Sequence, residues 1–531
     1  MKILLFLFAA SLFFTSCTQK SPQTMTTNDQ KSMLQVRTVN GIVEGTDESG
    51  VISFKGIPYA APPVGDLRWK EPQPVKNWDG VKKTDHFGPR AMQRNIFGDM
   101  MFRSDGMSED CLYLNVWTPA KTSDDRLPVL VYFYGGGLVG GDGSEYRYDG
   151  ESMARRGIVS LTVNYRLNMF GFFAYPDLVK ESPNHTTGNY GYLDQVAALK
   201  WVQQNIAAFG GDPSKVTIAG ESAGSISVSA LMASPLSKNL MAGAIGSSGS
   251  CMGALPPLTL EEGEKRGEQF AELAGVKTLD ELRKIPADSI LAIAKNREFQ
   301  FLASTVDGYF FPKKPVEIFD AGEQAHIPLM VGWNSAEGSW QAILQGNEPT
   351  VQNYKNAINR MYKDQAEDIL KLYPASTPED VKQAATDLAS DRFIAQSTWK
   401  WCDEQTRTGG QPVFRYFFTH PRPAVRGDTT MNRMSPAGAV HSADIEYAMG
   451  NLSTNRVYDW QPADYKVSEI FQDFYVNFIK TGNPNGLGVP AWSPMKVSET
   501  SNVMFIDVDA HQVPEPHRDR HEFMDKMNAK E

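Results

Sequence analysis

The chain has 531 residues, of which 41% are hydrophobic and 11% aromatic, and its formal net charge at pH 7 is −10. This length permits a large buried core and does not by itself decide the number of domains. The acidic balance argues against nucleic acid as a partner, because no excess of Lys and Arg is available to neutralise phosphates.

The first twenty residues, MKILLFLFAASLFFTSCTQK, contain the positive Lys2, an apolar run and small residues before Cys17. The pattern is typical of a secretory signal peptide, since the apolar run is too short to span a membrane. Its FTSC segment resembles a bacterial lipoprotein processing site, although Phe14 stands where Leu is usual. We therefore predict a signal peptide over residues 1–17, lipidation at Cys17 and a polar tether over 18–33. The protein would then be anchored in the periplasm or at the outer membrane, with plain secretion as the alternative.

Strand and helix patterns alternate along the rest of the chain. A hairpin is predicted at QVRTVNGIVEGT, where Asn40 and Gly41 separate two alternating apolar runs. Further strands are predicted at LYLNVW, LPVLVYFY, IVSLTVNY, KVTIAG, IPLMVGW, VFRYFF and VMFIDV. Helical periodicity is present at 192–209 and 468–480, between several of these runs. The alternation predicts an α/β fold with a central, mostly parallel sheet flanked by helices.

Two segments, at about 260–297 and 353–406, are rich in Glu, Lys, Ala and Leu. They are predicted to be helical insertions. The sequence contains no repeat and no long linker rich in Ser, Gly or Pro, and no second apolar run of membrane-spanning length. We therefore predict a single domain over residues 34–531.

The segment KVTIAGESAGSISVSALMAS changes from a strand pattern to a helix pattern at Ser222. Its GESAG core has the form GxSxG, which in a strand–turn–helix context indicates a nucleophile elbow. The flanking Gly220 and Gly224 lack Cβ atoms, so the strand and the helix can approach closely. Ser222 is therefore the candidate nucleophile, and it needs a base and a third group that orients the base.

Five histidines follow Ser222 in the region where the order Ser, acid, His would place the base. His441, in the loop-like GAVHSADIEYAMG after a predicted strand, is favoured over His420, His511, His517 and His521. His517 and His521 have helical spacing but no accompanying ligand pattern, so a metal site is not predicted there.

The third member of the triad is predicted to be Glu337, which lies just past the buried-strand pattern IPLMVGW. Asp307 is the competing acid, but its DG sequence between apolar runs is typical of a turn. Upstream, VYFYGGGLVGGDG ends a strand in Gly135, Gly136 and Gly137, whose backbone N–H groups could face an oxyanion. A phosphate loop is the alternative, but no GK[ST] follows.

These segments together resemble the type B carboxylesterases, the family of cholinesterases and bacterial para-nitrobenzyl esterases. The resemblance rests on FKGIPYAAPPVGDLRW, SEDCLYLNVWTP, YGGG, VNYRLNMFGFFA, GNYGYLDQVAALKWVQQNIAAFGGDP and VTIAGESAGSISV, followed by VGWNSAEG, GAVHSADIEYAMGN and FIKTGNPNG. It implies the α/β-hydrolase fold, no metal or organic cofactor, and Ser222, Glu337 and His441 as the triad. It also implies that the N–H groups of Gly136, Gly137 and Ala223 form the oxyanion hole.

By the same resemblance, Leu138, Phe299 and Phe301 are candidates for the substrate pocket, with ordinary core packing as the alternative. Two aromatic residues there would suit short or aromatic acyl groups, such as acetyl or a hydroxycinnamoyl group. A thioesterase, lipase or peptidase on the same fold is the alternative activity. A non-catalytic binding member of the family is disfavoured, because all three triad residues are present.

The chain departs from the family pattern at two positions. Many members have Cys where this chain has Ala91, and that Cys pairs with the one equivalent to Cys111. The loop between them is therefore predicted to be open, and the sequence leaves any pairing among Cys111, Cys251 and Cys402 undecided. Tyr134 replaces the His that precedes the three glycines in many bacterial members, which should change the packing of the oxyanion loop without removing its donors.

Overall fold

A computed structural model describes residues 33–253, 255–296, 299, 303–427, 438–497 and 501–528. The predicted signal peptide, Cys17 and residues 18–32 lie outside the described residues. Within the described ranges no helix is long and apolar enough to cross a membrane.

Eleven described strands form one central sheet. In chain order they are β1 (Thr46–Asp47), β2 (Ile52–Pro58), β3 (Tyr113–Thr118), β4 (Leu127–Phe133), β5 (Val159–Val163), β6 (Gly211–Glu221), β7 (Gly243–Ser247), β8 (Leu329–Asn334), β9 (Val413–Phe418), β10 (Asn502–Ile506) and β11 (His511–Pro514). Their order across the sheet is β11-β10-β9-β8-β7-β6-β4-β5-β3-β2-β1. The run from β10 to β5 is parallel, and antiparallel pairs lie at both ends. The predicted mostly parallel sheet is confirmed.

The central strands are buried on both faces, as expected for a sheet covered by helices. Every residue of β5 and β8 is buried. Strand β7 was not predicted, because its sequence GAIGS lacks an apolar run. Its small residues are required by packing, since a Cβ on Gly246 would lie 2.2 Å from the Trp401 ring.

Smaller sheets lie outside the central one. The predicted hairpin forms from Gln35–Arg37 and Ile42–Glu44, with Val81–Lys83 as a third strand. Two short parallel pairs join Arg90–Ala91 to Met107–Ser108 and Leu258–Thr259 to Thr305–Val306.

The α-helices surround the sheet and include both predicted insertions. They span Glu151–Arg155, Asn168–Gly171, Pro176–Glu181, Tyr190–Asn205, α1 (Ala223–Ala233), Leu260–Leu273, Leu279–Lys284, Ala287–Ile293, Pro315–Asp320, Trp340–Leu344, Val351–Tyr362, Ala366–Leu372, Pro378–Ser390, Gln396–Thr408, Ile445–Met449, Pro462–Thr481 and Arg518–Asn528. A π-helix, Asp391–Ala395, joins two of them. Several insertion helices begin with a Thr that caps the first turn, such as Thr259, Thr278 and Thr377.

Two hydrophobic clusters stabilise these parts of the chain. The main cluster lies on both faces of the sheet, and a second joins the insertion helices around Tyr354, Tyr373 and Leu388. The assignment of residues 34–531 to a single domain stays a prediction. Cys111, Cys251 and Cys402 are buried free thiols, so none of the pairings left open by the sequence is formed among them.

The parallel strands place the candidate residues at one edge of the sheet. Their carboxyl ends share that edge, where ligands bind in open α/β sheets. Strand β4 leads to Gly135 and its neighbours, β6 to Ser222, β8 to Glu337 and β9 to the loop that carries His441. The fold therefore brings together residues that are more than 200 positions apart.

Candidate active site

Ser222 occupies the sharp turn between β6 and α1. Its φ and ψ are 56° and −123°, a strained conformation for a residue with a side chain. The Ser222 N–H donates to the Ser247 carbonyl at 2.8 Å, which ties the turn to β7. A Cβ on Gly224 would lie 2.0 Å from the Phe133 carbonyl, and one on Gly220 would lie 2.4 Å from the Gly224 backbone. Glycine is thus required on both sides of the serine.

The imidazole of His441 contacts both other members of the predicted triad. Its Nε2 lies 2.9 Å from Ser222 Oγ, and its Nδ1 lies 2.6 Å from Glu337 Oε2. A carboxylate accepts a hydrogen bond, so Glu337 favours a proton on Nδ1 and leaves Nε2 of the neutral ring free to accept the serine proton. The structure therefore brings Ser222, Glu337 and His441 into the arrangement that a serine nucleophile needs.

Glu337 is held by several donors besides His441. Its side chain is 0% exposed. Its Oε1 accepts hydrogen bonds from Ser248 Oγ and from the Asn334 N–H, the latter at 2.6 Å. These bonds fix the carboxylate, and through it the plane of the imidazole.

Glu221, which the sequence analysis did not select, brings a second carboxylate to His441. Its Oε1 lies 3.4 Å from His441 Nε2 and has no hydrogen-bond partner among the described residues. Burial raises the pKa of Glu221 to about 8. Burial disfavours the imidazolium form of His441, but Glu221 and Glu337 outweigh it and raise the pKa of His441 to about 9. The sequence signal that could have identified Glu221 is its position next to the nucleophile in GESAG.

The glycine loop lies next to Ser222 and lines the same cavity. Gly136 and Gly137 line the cavity with φ of 112° and 63°, and a Cβ on Gly136 would lie 2.3 Å from the Gly140 carbonyl. Ala223 is the first residue of α1, and the first N–H groups of a helix have no acceptor within the helix. The predicted oxyanion residues thus lie beside Ser222, where helix-terminal N–H groups favour negative charge.

Tyr134 packs behind this loop. It is buried, its ring stacks on Tyr165 at 4.6 Å between centroids, and its carbonyl accepts a hydrogen bond from Tyr165 Oη at 2.7 Å. The tyrosine therefore supports the glycine loop from the side away from the cavity.

The cavity above Ser222 has a volume of about 550 Å³. Its wall is largely apolar and aromatic and includes Phe97, Met100, Tyr148, Ile226, Leu255 and Phe393. Phe393 belongs to the π-helix and meets the His441 ring edge-on at 5.1 Å between centroids. Charged side chains also line the cavity, namely Asp99, Arg147, Glu221 and Arg392.

The predicted pocket residues do not form this wall. Leu138 is buried in the main core, where its carbonyl accepts a hydrogen bond from the Asn168 N–H at 2.7 Å. Phe299 packs edge-on against Phe270 at 5.5 Å and lines a separate small crevice. The expectation that Leu138 and Phe299 contact substrate is therefore wrong, because both side chains pack in the core. Phe301 lies outside the described residues.

The rejected alternatives have other partners. His420 bridges Asp464 and Asp507, which raise its pKa although burial disfavours its charged form. Asp307 accepts hydrogen bonds from Thr186 Oγ1 and from the N–H groups of Tyr309 and Phe311, as expected for a turn. The ring of His521 stacks on Trp399. In the described part of the chain, no group of three or more His, Cys, Asp or Glu side chains could hold a metal ion.

The sheet order, the serine at the turn after β6 and the His–Glu contact define a serine hydrolase of the α/β-hydrolase fold. The chain belongs to the carboxylesterase family, whose sequence profile matches residues 32–524. It is a carboxylesterase, as the comparisons with individual proteins also indicate.

Similar proteins include enzymes from bacteria and animals. The fumonisin B1 esterase of Sphingopyxis macrogoltabida is 38% identical over 448 residues, covering 82% of this chain and 78% of the relative. The medium-chain fatty acyl-CoA hydrolase precursor of Anas platyrhynchos is 33% identical over 502 residues, covering 88% of this chain and 86% of the relative. A solved PNB esterase superposes with a TM-score of 0.79 at 30% identity, covering 92% of this chain and 99% of the esterase chain. A Geobacillus stearothermophilus carboxylesterase superposes with a TM-score of 0.78 and the same identity and coverage.

Proposed function

We propose that this carboxylesterase cleaves its esters with Ser222 as nucleophile, His441 as base and Glu337 as the group that orients the base. The proposal rests on one observation: a single imidazole lies 2.9 Å from Ser222 Oγ and 2.6 Å from Glu337 Oε2. No other His in the described residues has such contacts to a serine at a strand–helix turn.

The reaction follows from these contacts. Ser222 Oγ attacks the ester carbonyl while its proton moves to His441 Nε2, and Glu337 stabilises the resulting imidazolium. The carbonyl oxygen becomes negative beside the N–H groups of Gly136, Gly137 and Ala223. The C–O bond to the alcohol breaks as His441 returns the proton to the leaving oxygen. A water molecule, deprotonated by His441, then cleaves the acyl-Ser222 ester and restores the hydroxyl.

The preferred substrates are esters with short or aromatic acyl groups. This part of the proposal is supported by the aromatic wall of the cavity, in which Phe97, Tyr148 and Phe393 replace the predicted Phe299. Rates with p-nitrophenyl acetate, its longer-chain homologues and methyl ferulate test it. A clear optimum at long acyl chains would contradict it.

The Ser222→Ala variant tests the nucleophile. We expect kcat for p-nitrophenyl acetate to fall by about 10⁶, because the loss of a triad nucleophile has that effect in a serine protease. The buried Ser250→Ala, which removes a hydroxyl that donates to the Ser397 carbonyl, is the matched control and should keep its turnover. Circular dichroism would verify folding, and substantial turnover by folded Ser222→Ala would remove Ser222 from the mechanism.

We also propose that the chain is exported and anchored by a lipid on Cys17, in the periplasm or at the outer membrane. The support is the charged, apolar and small-residue order of residues 1–17 and the polar composition of residues 18–33. In a bacterial host, the full chain should partition into detergent and incorporate labelled palmitate, and Cys17→Ser should do neither. Equal partitioning of the two chains would favour plain secretion.

A further inference from the structure

Two arginines line the active-site cavity close to His441. Arg147 Nη1 lies 3.4 Å from the Oγ of Ser442, the residue that follows His441. Arg392 immediately precedes Phe393, whose ring meets the His441 imidazole at 5.1 Å. Both arginines line the cavity that contains His441.

Arg392 has no carboxylate within ion-pair distance among the described residues. Its guanidinium lies over the Tyr362 ring at 5.4 Å from the centroid, and its Nη1 donates to Tyr362 Oη at 2.8 Å. This contact positions the group and leaves donors available. A guanidinium presents its donors in a planar fork that matches the two oxygens of a carboxylate.

Arg147 is 4% exposed and is bound by two carboxylates. Glu145, which is also buried, accepts a hydrogen bond from its Nε. Asp99 Oδ2 accepts one from Nη1 at 3.2 Å, and the Asp99 side chain is 43% exposed and lines the same cavity. Because the buried Glu145 stays paired with Arg147, an incoming carboxylate could take the place of Asp99 without leaving the arginine unpaired.

We propose that Arg392 and Arg147 form an anion-recognition subsite in the active-site cavity, so that favoured esters carry a free carboxylate. The proposal rests on the function proposed above and narrows its substrate class. The carboxylate belongs either to the acyl group or to the alcohol, and both positions would use the same guanidinium chemistry. Among the described residues that line the cavity, Arg147 and Arg392 are the basic side chains besides the catalytic base His441.

The experiment compares charged and neutral esters of matched shape. On the acyl side the pair is mono-p-nitrophenyl glutarate and p-nitrophenyl pentanoate. On the alcohol side it is 4-acetoxybenzoate and 4-methylphenyl acetate. The charged-to-neutral ratio of kcat/KM is measured for the wild type and each variant, so that intrinsic differences in ester reactivity cancel.

Arg392→Gln is the main variant, because Arg392 is exposed and its loss should not affect folding. We expect it to lower the ratio by about tenfold for the charged ester that uses the subsite, the effect of one charge-assisted hydrogen bond. Arg392→Lys should give a charged-to-neutral ratio between those of the wild type and Arg392→Gln. Asp99→Asn should raise it, because Arg147 then loses a competing carboxylate. Arg360→Gln, which removes an exposed arginine that donates to Gln345, is the charge-matched control and should leave the ratio unchanged.

The outcomes separate the two proposals. A ratio that is unchanged in both Arg392→Gln and Asp99→Asn, for both ester pairs, would overturn the anion subsite while ester hydrolysis stands. A wild-type protein that hydrolyses none of the four esters would instead count against the proposed catalytic function. A change confined to one ester pair would support the subsite and identify the part of the substrate that carries the carboxylate.

Discussion

The end of β6 and the loop after β8 each bring a glutamate to the imidazole of His441, and the two glutamates are held differently. Glu337, in the loop after β8, accepts hydrogen bonds from His441, Ser248 Oγ and the Asn334 N–H. Glu221, at the end of β6, has an oxygen without a hydrogen-bond partner among the described residues.

This difference shows how environment assigns two roles to one chemical group. A carboxylate surrounded by donors orients the imidazole, because its oxygens cannot turn without losing several bonds. A buried carboxyl without donors resists ionisation, and burial accordingly raises the pKa of Glu221 to about 8. We infer that Glu337 positions His441, whereas Glu221 chiefly influences the pH range in which His441 is neutral.

Of the variants that test this comparison, Glu337→Gln should lower kcat most. The amide keeps the shape of the side chain but can donate to Nδ1, which would favour the wrong tautomer of His441. We expect kcat for p-nitrophenyl acetate to fall by about 10⁴, as for the equivalent amide in a serine protease triad. Steady-state kinetics would measure the loss, and the exposed Glu348→Gln is the control for the same chemical change. A loss below tenfold would mean that another group orients His441.

Ser248→Ala should have an intermediate effect. It removes one of the donors to Glu337 Oε1 and leaves the Asn334 N–H in place. We expect kcat to fall about tenfold with KM little changed, since one hydrogen bond to a charged group is lost.

Ser250→Ala is the control for Ser248→Ala, because both remove a buried hydroxyl that donates one hydrogen bond, although Ser250 Oγ also accepts one from the Met252 N–H at 3.3 Å. Urea denaturation should give losses of unfolding free energy of about 1 to 2 kcal/mol for both variants. Only Ser248→Ala should lose kcat. Equal kcat in the two variants would show that Ser248 serves stability alone.

Much of the fold and the triad could be predicted from local patterns. GESAG between a strand and a helix identifies Ser222, because only a glycine-flanked turn permits the close approach of Gly224 to the Phe133 carbonyl. The carboxyl ends of parallel strands lie at one edge of the sheet, so Glu337, just after β8, could be expected to lie near Ser222. The choice of His441 over the other histidines gained its strength from the family resemblance.

The cavity wall could not be predicted in this way. Phe393 and Arg392 reach the cavity from a π-helix within an insertion, and that change of helical register has no periodic signal in the sequence. Phe299 was selected by the family resemblance, and its aromatic side chain is of a kind that both cores and pockets contain. Strand β7 was missed because the bulk of Trp401 selects small residues there, a contact between segments far apart in the chain.

Glu221→Gln should have the smallest effect on rate and should act mainly on its pH dependence. The reaction needs neutral His441, and the neighbouring carboxylates raise the pKa of His441 to about 9, so the limb of kcat/KM that rises with pH should lie high in the wild type. Glutamine cannot carry the negative charge that favours the imidazolium. The pKa of His441 should therefore fall, and the limb should move to lower pH by about one unit.

The plateau of kcat/KM at high pH also tests the contact between Glu221 and His441. During attack His441 becomes positive, so the loss of a nearby carboxylate should lower the plateau of kcat/KM, by about tenfold or less. Glu348→Gln should change neither the limb nor the plateau. If Glu221→Gln left the limb in place, the raised pKa of His441 would have to come from Glu337 and Asp444, and the division of roles between the two glutamates would fail.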